Sequence, residues 1–233
     1  MPNTDHKPPL LARSLANRAS TRNRKPIFYG WAMLAATTLT TMATSPGQSF
    51  VVGSFSEAIR ADLRISLQEF AAAYMIATFI ASLPLTLVGR LSDKLGTRTV
   101  MGTVALLLGL ACMIIGLLAF AVQRLKLQDN LDHYAALAAL TVSFFLLRFL
   151  GQGALGLVSS HTLAMWFERK LGLAESIRHL GMPLALAVLP AAIVLSIEAI
   201  GWKTTYALLG LLVWIIVLFK VRQTAALVGS WAA

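Results

Sequence analysis

One arginine stands in an otherwise uncharged stretch and is the residue best suited to bind a ligand. Arg148 is the only charged residue between positions 133 and 167. A guanidinium presents a planar fork that pairs with a carboxylate through two hydrogen bonds, and it does not lose its proton. The sequence alone leaves two interpretations open. Arg148 is either an anion-binding residue or a structural brace that donates to backbone carbonyls and polar side chains of neighbouring helices.

The residues that enzymes use are not arranged for catalysis. The histidines, at positions 6, 133, 161 and 179, do not fall at the i, i+4 spacing of a helical metal site, and no G-x-S-x-G element is present. Ser159, Ser160 and His161 are adjacent on one predicted helix, whereas a serine protease needs them to face each other. Cys112 is the single cysteine, which excludes a C-x-x-C pair. We therefore expect no enzyme activity, no cofactor and no metal.

The distribution of charges predicts membrane-spanning helices around this arginine. The 233 residues are 57% hydrophobic and 13% charged, whereas an ordinary soluble domain is about a quarter charged. A spanning helix needs about 20 apolar residues, and the gaps between charges accommodate six such helices. We predict an all-α polytopic membrane protein in contact with lipid. Its helices are expected at about 27–54, 68–89, 99–122, 136–161, 177–198 and 201–220.

The basic residues predict which ends of the helices face the cytoplasm. Lys and Arg concentrate in residues 1–26 and in the segments after the second, fourth and sixth predicted helices. Short loops rich in these residues stay on the cytoplasmic side. Residues 1–26 and 223–233 are therefore predicted to be cytoplasmic tails, the first of them basic. We attribute the net charge of +10 to this pattern and expect no nucleic-acid partner.

Proline and glycine together interrupt the first predicted helix. Pro46 lacks the backbone N–H that a helix uses, and Gly47 follows it directly. Such breaks are tolerated inside a membrane where they line a cavity. An arginine at the bilayer centre costs about 2.5–3.5 kcal/mol, so Arg148 should face a polar cavity or a partner and not lipid. Ser45 and Gln48 are the polar residues that flank the break.

The stretch between the second and third predicted helices carries the most specific motif. It reads GRLSDKLGTR over residues 89–98, and its two glycines are predicted to frame a tight turn. This stretch resembles the signature loop of the major facilitator superfamily, G-x-L-S/A-D-R/K-x-G-R/x-R/K. In that family the loop is a conformational latch whose acid contacts the opposite half of the transporter. The resemblance implies a gating role for Gly89, Asp93, Lys94, Gly96 and Arg98.

Other motifs indicate one branch of that family. RFLGQG at 148–153 is similar to the fourth-helix arginine motif, and GWKTTY at 201–206 is similar to the start of the sixth helix. WFERKLGLA at 166–174 resembles a loop of the monocarboxylate and oxalate/formate members. Ala185 departs from the pattern, because a second glycine usually stands there. The match covers about residues 29–222, which correspond to one six-helix half of a twelve-helix transporter.

The resemblance also relates the first helix to the fourth. Each half of such a transporter consists of two inverted three-helix repeats, which makes these two helices counterparts. Gly47-Gln48 and Gly151-Gln152 are then equivalent positions on one pathway. The alternative is that the repeated Gly-Gln pair arose by chance.

The function that the resemblance implies is secondary active transport of a small organic anion, a carboxylate, by alternating access with proton coupling or exchange. Arg148 would hold the anion, and Gln152, Gln48 and Ser45 would line its path. The chain is expected in the bacterial plasma membrane and to act with a second six-helix half or as a homodimer. The alternative is a truncated or non-transporting six-helix protein that serves as an oligomeric or interaction module.

Overall fold

Helices account for all the regular structure in the described part of the chain. The computed structural model describes residues 29–125, 129–167 and 170–229. The predicted all-α fold is confirmed within these ranges. The α-helices, in chain order, are α1 Tyr29–Ala43, α2 Ser49–Leu63, α3 Leu67–Ser82, α4 Leu85–Leu95, α5 Thr97–Leu125, α6 Asp129–Leu147, α7 Gly156–Ala164, α8 Leu171–His179, α9 Gly181–Ile200 and α10 Trp202–Gly229.

Two short non-α elements interrupt this series. A 3-10 turn, Ser45–Gly47, joins α1 to α2, and a π-helical stretch, Arg148–Leu155, joins α6 to α7. We group the helices into six segments: segment 1 (α1 and α2), segment 2 (α3 and α4), segment 3 (α5), segment 4 (α6 and α7), segment 5 (α8 and α9) and segment 6 (α10). Following the predicted orientation, the end of the bundle at Gly96 is called the inner end and the end at Gly201 the outer end.

Several segments are long and apolar enough to cross a membrane. Within the described residues these are Thr97–Leu117, His133–Ala164 and Leu171–Ile200. Leu67–Ser82 and Leu85–Leu95 make a fourth if they count as one span bent by 41°. Polytopic membrane character is therefore supported, while the number of six spans stays a prediction.

Helices run past the uncharged stretches from which they were predicted. α2 continues to Leu63 and α4 to Leu95, because charged residues are compatible with helix outside the apolar layer. α10 reaches Gly229 and so enters the predicted tail 223–233. The predicted basic tail 1–26 lies outside the described residues, as do residues 230–233.

The turn between segments 2 and 3 differs from its prediction. Gly89 lies inside α4, so it does not frame the turn. The chain reverses at Gly96 alone, whose φ of 82° is a conformation that a residue with a Cβ rarely adopts. Thr97 then starts α5 immediately.

The segments pack in a symmetric pattern. Segment 1 packs on segment 5, segment 2 on segment 4, and segment 3 on segment 6. If segment 1 is exchanged with 4, segment 2 with 5 and segment 3 with 6, the same three pairs result. Two structurally related three-helix repeats are expected to show this symmetry. The 3-10 turn of segment 1 and the π-helical stretch of segment 4 contact each other. The two interruptions therefore meet inside the bundle.

Aromatic stacking and close backbone approach hold the segments together. Phe55 of segment 1 stacks on Tyr206 of segment 6 with ring centroids 3.9 Å apart, and both side chains are fully buried. Segments 3 and 6 approach at Gly109 and Gly210, where a Cβ on Gly210 would lie 2.6 Å from the Gly109 carbonyl oxygen. Small residues permit such contacts between membrane helices.

Candidate functional site

The break in segment 1 exposes a backbone carbonyl to the interior. Gly47 N–H donates to the Thr44 carbonyl at 3.1 Å, which is a 3-10 bond, and Gln48 then takes an extended conformation. Helical bonding resumes only where Val52 N–H donates to the Gln48 carbonyl at 3.1 Å. The Gly47 carbonyl thus lies outside the helical ladder and can accept a bond from another segment.

Two glycines let segments 1 and 4 touch at their interruptions. A Cβ on Gly47 would lie 2.3 Å from the Leu147 carbonyl oxygen and 2.9 Å from the Gln152 nitrogen. A Cβ on Gly151 would lie 3.1 Å from both the Cα and the nitrogen of Gly47. The obstacles are backbone atoms, which cannot move aside as a flexible side chain can. Gly47 and Gly151, which the resemblance makes equivalent positions of the two repeats, are therefore in direct backbone contact.

Arg148 is held in this region by groups from three segments. Its Nε donates to Thr78 Oγ1 of segment 2 at 3.1 Å, and its Nη1 donates to the Gly47 carbonyl of segment 1 at 3.3 Å. Nη1 also donates to Gln152 Oε1 on its own segment. The guanidinium lies over the ring of Tyr74, 5.0 Å from its centroid. These contacts fix the orientation of the guanidinium plane.

Tyr74 is in turn fixed by its neighbours. Its hydroxyl donates to Ser49 Oγ at 2.9 Å, and its ring meets the Phe144 ring edge-on at 5.5 Å. Tyr74 and Thr78 are four residues apart on α3 and so share one helix face. Sequence reasoning missed Thr78 and Ser49. The i, i+4 spacing of Thr78 from Tyr74 is the signal that could have found Thr78.

Two of the predicted lining residues lie apart from the guanidinium. Gln48 caps α2, and its side-chain Nε2 donates to Thr44 Oγ1 at 3.3 Å. Ser45 is buried at 2% exposure, and its hydroxyl donates to the Met42 carbonyl of the same segment. Gln152 alone of the three predicted lining residues contacts Arg148.

A second arginine is buried more deeply than the first and was missed from the sequence. Arg178, at the end of α8, is only 5% exposed. Its Nε donates to Glu175 Oε2 at 2.6 Å, and its Nη1 donates to Thr41 Oγ1 of segment 1 at 2.8 Å. The sequence places Arg178 at the edge of a predicted span, where a charge reads as part of a loop. Its partner Glu175 was missed for the same reason.

The two arginines differ in whether a carboxylate compensates their charge. Arg178 forms an ion pair with Glu175 three residues earlier. Arg148 has no carboxylate within 4.0 Å among the residues that the structure describes. Of the two, only Arg148 therefore lacks a compensating carboxylate among the described residues.

The residues expected to gate lie at the inner end of segments 2 and 3. Lys94 and Asp93 occupy the last turn of α4, and Arg98 lies in the first turn of α5. The Asp93 side chain is 69% exposed, and its Oδ1 lies 3.9 Å from His161 Nε2 at the inner end of segment 4. The structure thus links Asp93 to a neighbouring segment of the same bundle.

Two further polar contacts join segments at the outer end. Glu69 Oε1 lies 2.8 Å from His133 Nε2, joining segments 2 and 4. Asp62 Oδ2 lies 2.9 Å from Lys203 Nζ and accepts from Trp202 Nε1 at 3.0 Å, joining segments 1 and 6. Lys203 therefore forms an ion pair with Asp62 that holds these two segments together.

Comparison with known protein families identifies the family to which the chain belongs. No group of three or more His, Cys, Asp or Glu among the described residues could hold a metal ion. Comparison with curated proteins and with solved structures gives no match. The family model described as Major Facilitator Superfamily matches residues 37–228, which include the interruptions, both arginines and the signature stretch. The chain therefore belongs to the major facilitator superfamily, a family of membrane transporters.

Proposed function

We propose that the protein carries out secondary transport of a small organic anion, a carboxylate, and that Arg148 binds it. The observation that carries this proposal is the uncompensated charge of Arg148 at the meeting point of two interrupted segments. A buried arginine that serves only as a brace is expected to have a carboxylate partner, as Arg178 does. Arg148 is oriented by neutral groups instead.

The remaining donor of Arg148 supports the same proposal. Thr78, Gly47 and Gln152 use Nε and Nη1. Nη2 has no hydrogen-bond partner among the described residues, and it lies in the same plane as Nη1. A carboxylate oxygen can bond to Nη2 while its second oxygen replaces Gln152 at Nη1, which gives the two-bond geometry that guanidinium and carboxylate prefer.

The proposed mechanism is alternating access. A cavity between two rocking halves needs a second six-helix unit, so we propose that this unit is either a separate half or a second copy of the chain. The resemblance of residues 166–174 to the monocarboxylate and oxalate/formate branch supports a carboxylate substrate. Exchange or proton coupling then supplies the driving force.

Uptake into proteoliposomes tests the proposal. The purified chain is reconstituted, and uptake of radiolabelled oxalate, formate and lactate is measured with and without a proton gradient. Arg148→Lys keeps the charge but loses the fork, and a lost hydrogen bond to a charged group is worth about 1.5–3 kcal/mol. We expect saturable uptake whose KM rises roughly ten- to hundredfold in this variant.

Arg90→Lys is the matched control, because Arg90 is an exposed arginine on α4. It should leave uptake unchanged. Unchanged uptake in Arg148→Lys removes this residue from the site. If inserted protein takes up none of the anions, equilibrium dialysis of the purified chain decides: absence of binding that depends on Arg148 overturns the anion site and favours a non-transporting module.

A further inference from the structure

One face of α2 is polar and accessible along the whole helix. The opposite side packs into the core through Val52, Phe55 and Ile59, which are buried. The residues of the polar face recur three or four positions apart, a spacing that aligns side chains on one side of a helix. None of them is buried, and we call them the α2 polar face: Ser49, Gly53, Ser56, Glu57, Arg60 and Arg64.

The α2 polar face is unlike a surface that contacts lipid. The exposed side chains of α9 are apolar and include Leu184, Val188 and Leu195. The α2 polar face instead carries three charged residues, and a charged side chain in contact with hydrocarbon is costly. This face is therefore suited to border water, as the wall of a passage does.

The inner end of the α2 polar face reaches the group around Arg148. Ser49 Oγ accepts a hydrogen bond from the Tyr74 hydroxyl at 2.9 Å, and the Tyr74 ring lies 5.0 Å from the Arg148 guanidinium. Arg60 follows Ser49 by eleven residues, which is about 16 Å along a helix. An anion that moves along this face from the outer end therefore meets Arg60 about three turns before Arg148.

The charges of the α2 polar face are not paired with one another. Within the described residues, neither Arg60 nor Arg64 has a carboxylate within 4.0 Å, and Glu57 has no basic partner at that distance. Two arginines against one glutamate give the face a net charge of about +1. Its outermost part is the arginine pair, so an anion approaching from the outer end meets positive charge first.

The Arg60 side chain also has an unused hydrogen-bond donor. Its Nε is buried and donates to no group in the part of the chain that the structure describes. A buried donor without an acceptor is costly. Arg60 therefore gains a hydrogen bond when its side chain turns towards an acceptor that enters from water.

Arg64 stands at a backbone position that usually holds glycine. It ends α2 in the left-handed conformation, with φ 53° and ψ 43°, and its N–H donates to the Arg60 carbonyl. A residue with a Cβ adopts this conformation at a cost that glycine does not incur. A charged side chain kept at such a position is expected where its charge has a function. The structural alternative is a favourable interaction with the carboxyl end of α2.

We infer that the α2 polar face lines the outer part of the anion pathway and that Arg60 and Arg64 bind the anion there before it reaches Arg148. This inference rests on the proposed function and adds to it an outer binding site for the same carboxylate. Positive charge along a passage raises the local concentration of anions and their rate of entry. Both arginines are in contact with water, so the anion is held weakly enough to move on.

The first arm of the experiment measures the electrostatic effect of Arg60 without any substrate. Gly53→Cys is introduced together with Cys112→Ala, because a Cβ at Gly53 has no neighbour within 4 Å. The purified protein in lipid nanodiscs, which leave both ends of the bundle open, reacts with two water-soluble methanethiosulfonates, one anionic and one cationic. The ratio of the two rates reports the potential at residue 53.

Arg60→Gln should lower the ratio of the anionic to the cationic rate. A unit charge about 10 Å away changes this ratio by about fourfold even in bulk water, so at least that effect is expected at low salt. At 1 M salt the effect should largely disappear. Arg64→Gln, which changes an exposed side chain at the helix end, should lower the ratio as well and keeps the test decisive if Arg60→Gln does not fold.

Two control variants separate electrostatics from changes in folding. Arg90→Gln removes the same charge at the inner end and should leave the ratio unchanged, whereas Glu57→Gln should raise it. Equal ratios in Arg60→Gln and Arg90→Gln overturn the inference. So does a reaction at Gly53→Cys as slow as at Val188→Cys, on the exposed apolar side of α9. Either result leaves the proposed function intact.

The second arm connects the outer site to transport. Oxalate uptake into proteoliposomes is measured at low and at high ionic strength. Arg60→Gln should raise KM by about fourfold or more at low salt, with kcat unchanged, and should approach the wild type at high salt. A KM equal to that of the wild type at low salt overturns the role of Arg60 in binding the transported anion. Wild-type protein that shows the expected labelling ratios but neither transports nor binds the anion overturns the proposed function instead.

Discussion

Two arginines with similar surroundings differ in one neighbouring carboxylate, and the different roles proposed for them rest on this difference. Each donates to a threonine across a segment pair, Arg148 to Thr78 between segments 4 and 2, and Arg178 to Thr41 between segments 5 and 1. The symmetry of the bundle exchanges these two pairs. Glu175 compensates one member only. This asymmetry of charge is therefore what distinguishes Arg148, the proposed binding residue, from the brace Arg178.

Tyr74 offers a test of how Arg148 is positioned. The ring lies under the guanidinium, and such contacts are worth about 0.5–2 kcal/mol. Tyr74→Leu should therefore weaken anion affinity by roughly two- to thirtyfold in equilibrium dialysis. Tyr74→Phe is the control, because it keeps the ring and loses only the bond to Ser49. Equal affinities for the two variants would show that the ring face plays no part.

Sequence reasoning recognises Arg148 because it stands alone, and it misses Arg178 because it stands with other charges. Isolation in an apolar stretch is a strong signal, since an unpaired charge in a membrane is costly. Glu175, Arg178 and His179 lie at positions i, i+3 and i+4, a spacing that puts them on one helix face. The sequence does not reveal that Arg178 on this face is buried.

At the scale of elements, the site is made by departures from α-helix. The 3-10 turn frees the Gly47 carbonyl, and the π-helical stretch begins at Arg148 itself. π-helical turns occur frequently at functional sites. The 3-10 turn is buried, and so is the side of the π-helical stretch that carries Gly151, which is where irregular backbone is tolerated at membrane depth.

Gly47→Ala tests the contact between the two interruptions. The new Cβ would meet backbone atoms of segment 4, and overpacking of this kind costs about 1–3 kcal/mol. We expect a lower melting temperature of the purified protein in detergent and weaker anion binding. Gly53→Ala is the matched control on the same segment, because a Cβ there has no neighbour within 4 Å. A melting temperature equally low in the control would contradict the conclusion that close packing at Gly47 stabilises the contact between segments 1 and 4.

The break in segment 1 is predictable and the π-helical stretch is not. Pro46 cannot donate a backbone bond, so the interruption follows from local chemistry. Residues 148–155 contain no proline, and nothing in their sequence marks the i, i+5 bonding that they adopt where they contact segment 1. The extension of α4 to Leu95 is missed for a different reason: uncharged runs mark the apolar layer and not the helix end.

At the scale of the whole molecule, the segments differ in how much of their apolar surface is buried inside the bundle. In Leu171–Ile200 only 17% of the most apolar stretch is buried inside the bundle. In Thr97–Leu117 the buried share is 44%. The apolar side chains that α9 exposes include Leu184, Leu186, Val188 and Leu195. Lipid or the second unit of the proposed transporter must cover them, because exposed apolar surface of this extent is rare in water.

The predicted orientation can be tested with single cysteines. Cys112, the only native cysteine, is buried and is first replaced by alanine. Lys94→Cys then marks the inner end and Glu198→Cys the outer end, and both positions are exposed. A membrane-impermeant maleimide should label Glu198→Cys in intact cells, and Lys94→Cys only after permeabilisation. The opposite pattern would invert the predicted topology.

The π-helical stretch holds extra residues that segment 4 can lose without a change in the relative orientation of α6 and α7. Each i, i+5 turn holds one residue more than an α-helical turn. Removing one residue from 148–155 lets an α-helical turn take its place, and α6 and α7 keep their relative phase. Removing a residue elsewhere in α6 or α7 rotates one helix against the other by about 100°. Segment 4 can therefore shorten by one residue at the height of Arg148 while Ser160 and His161 keep facing Glu175 and Asp93.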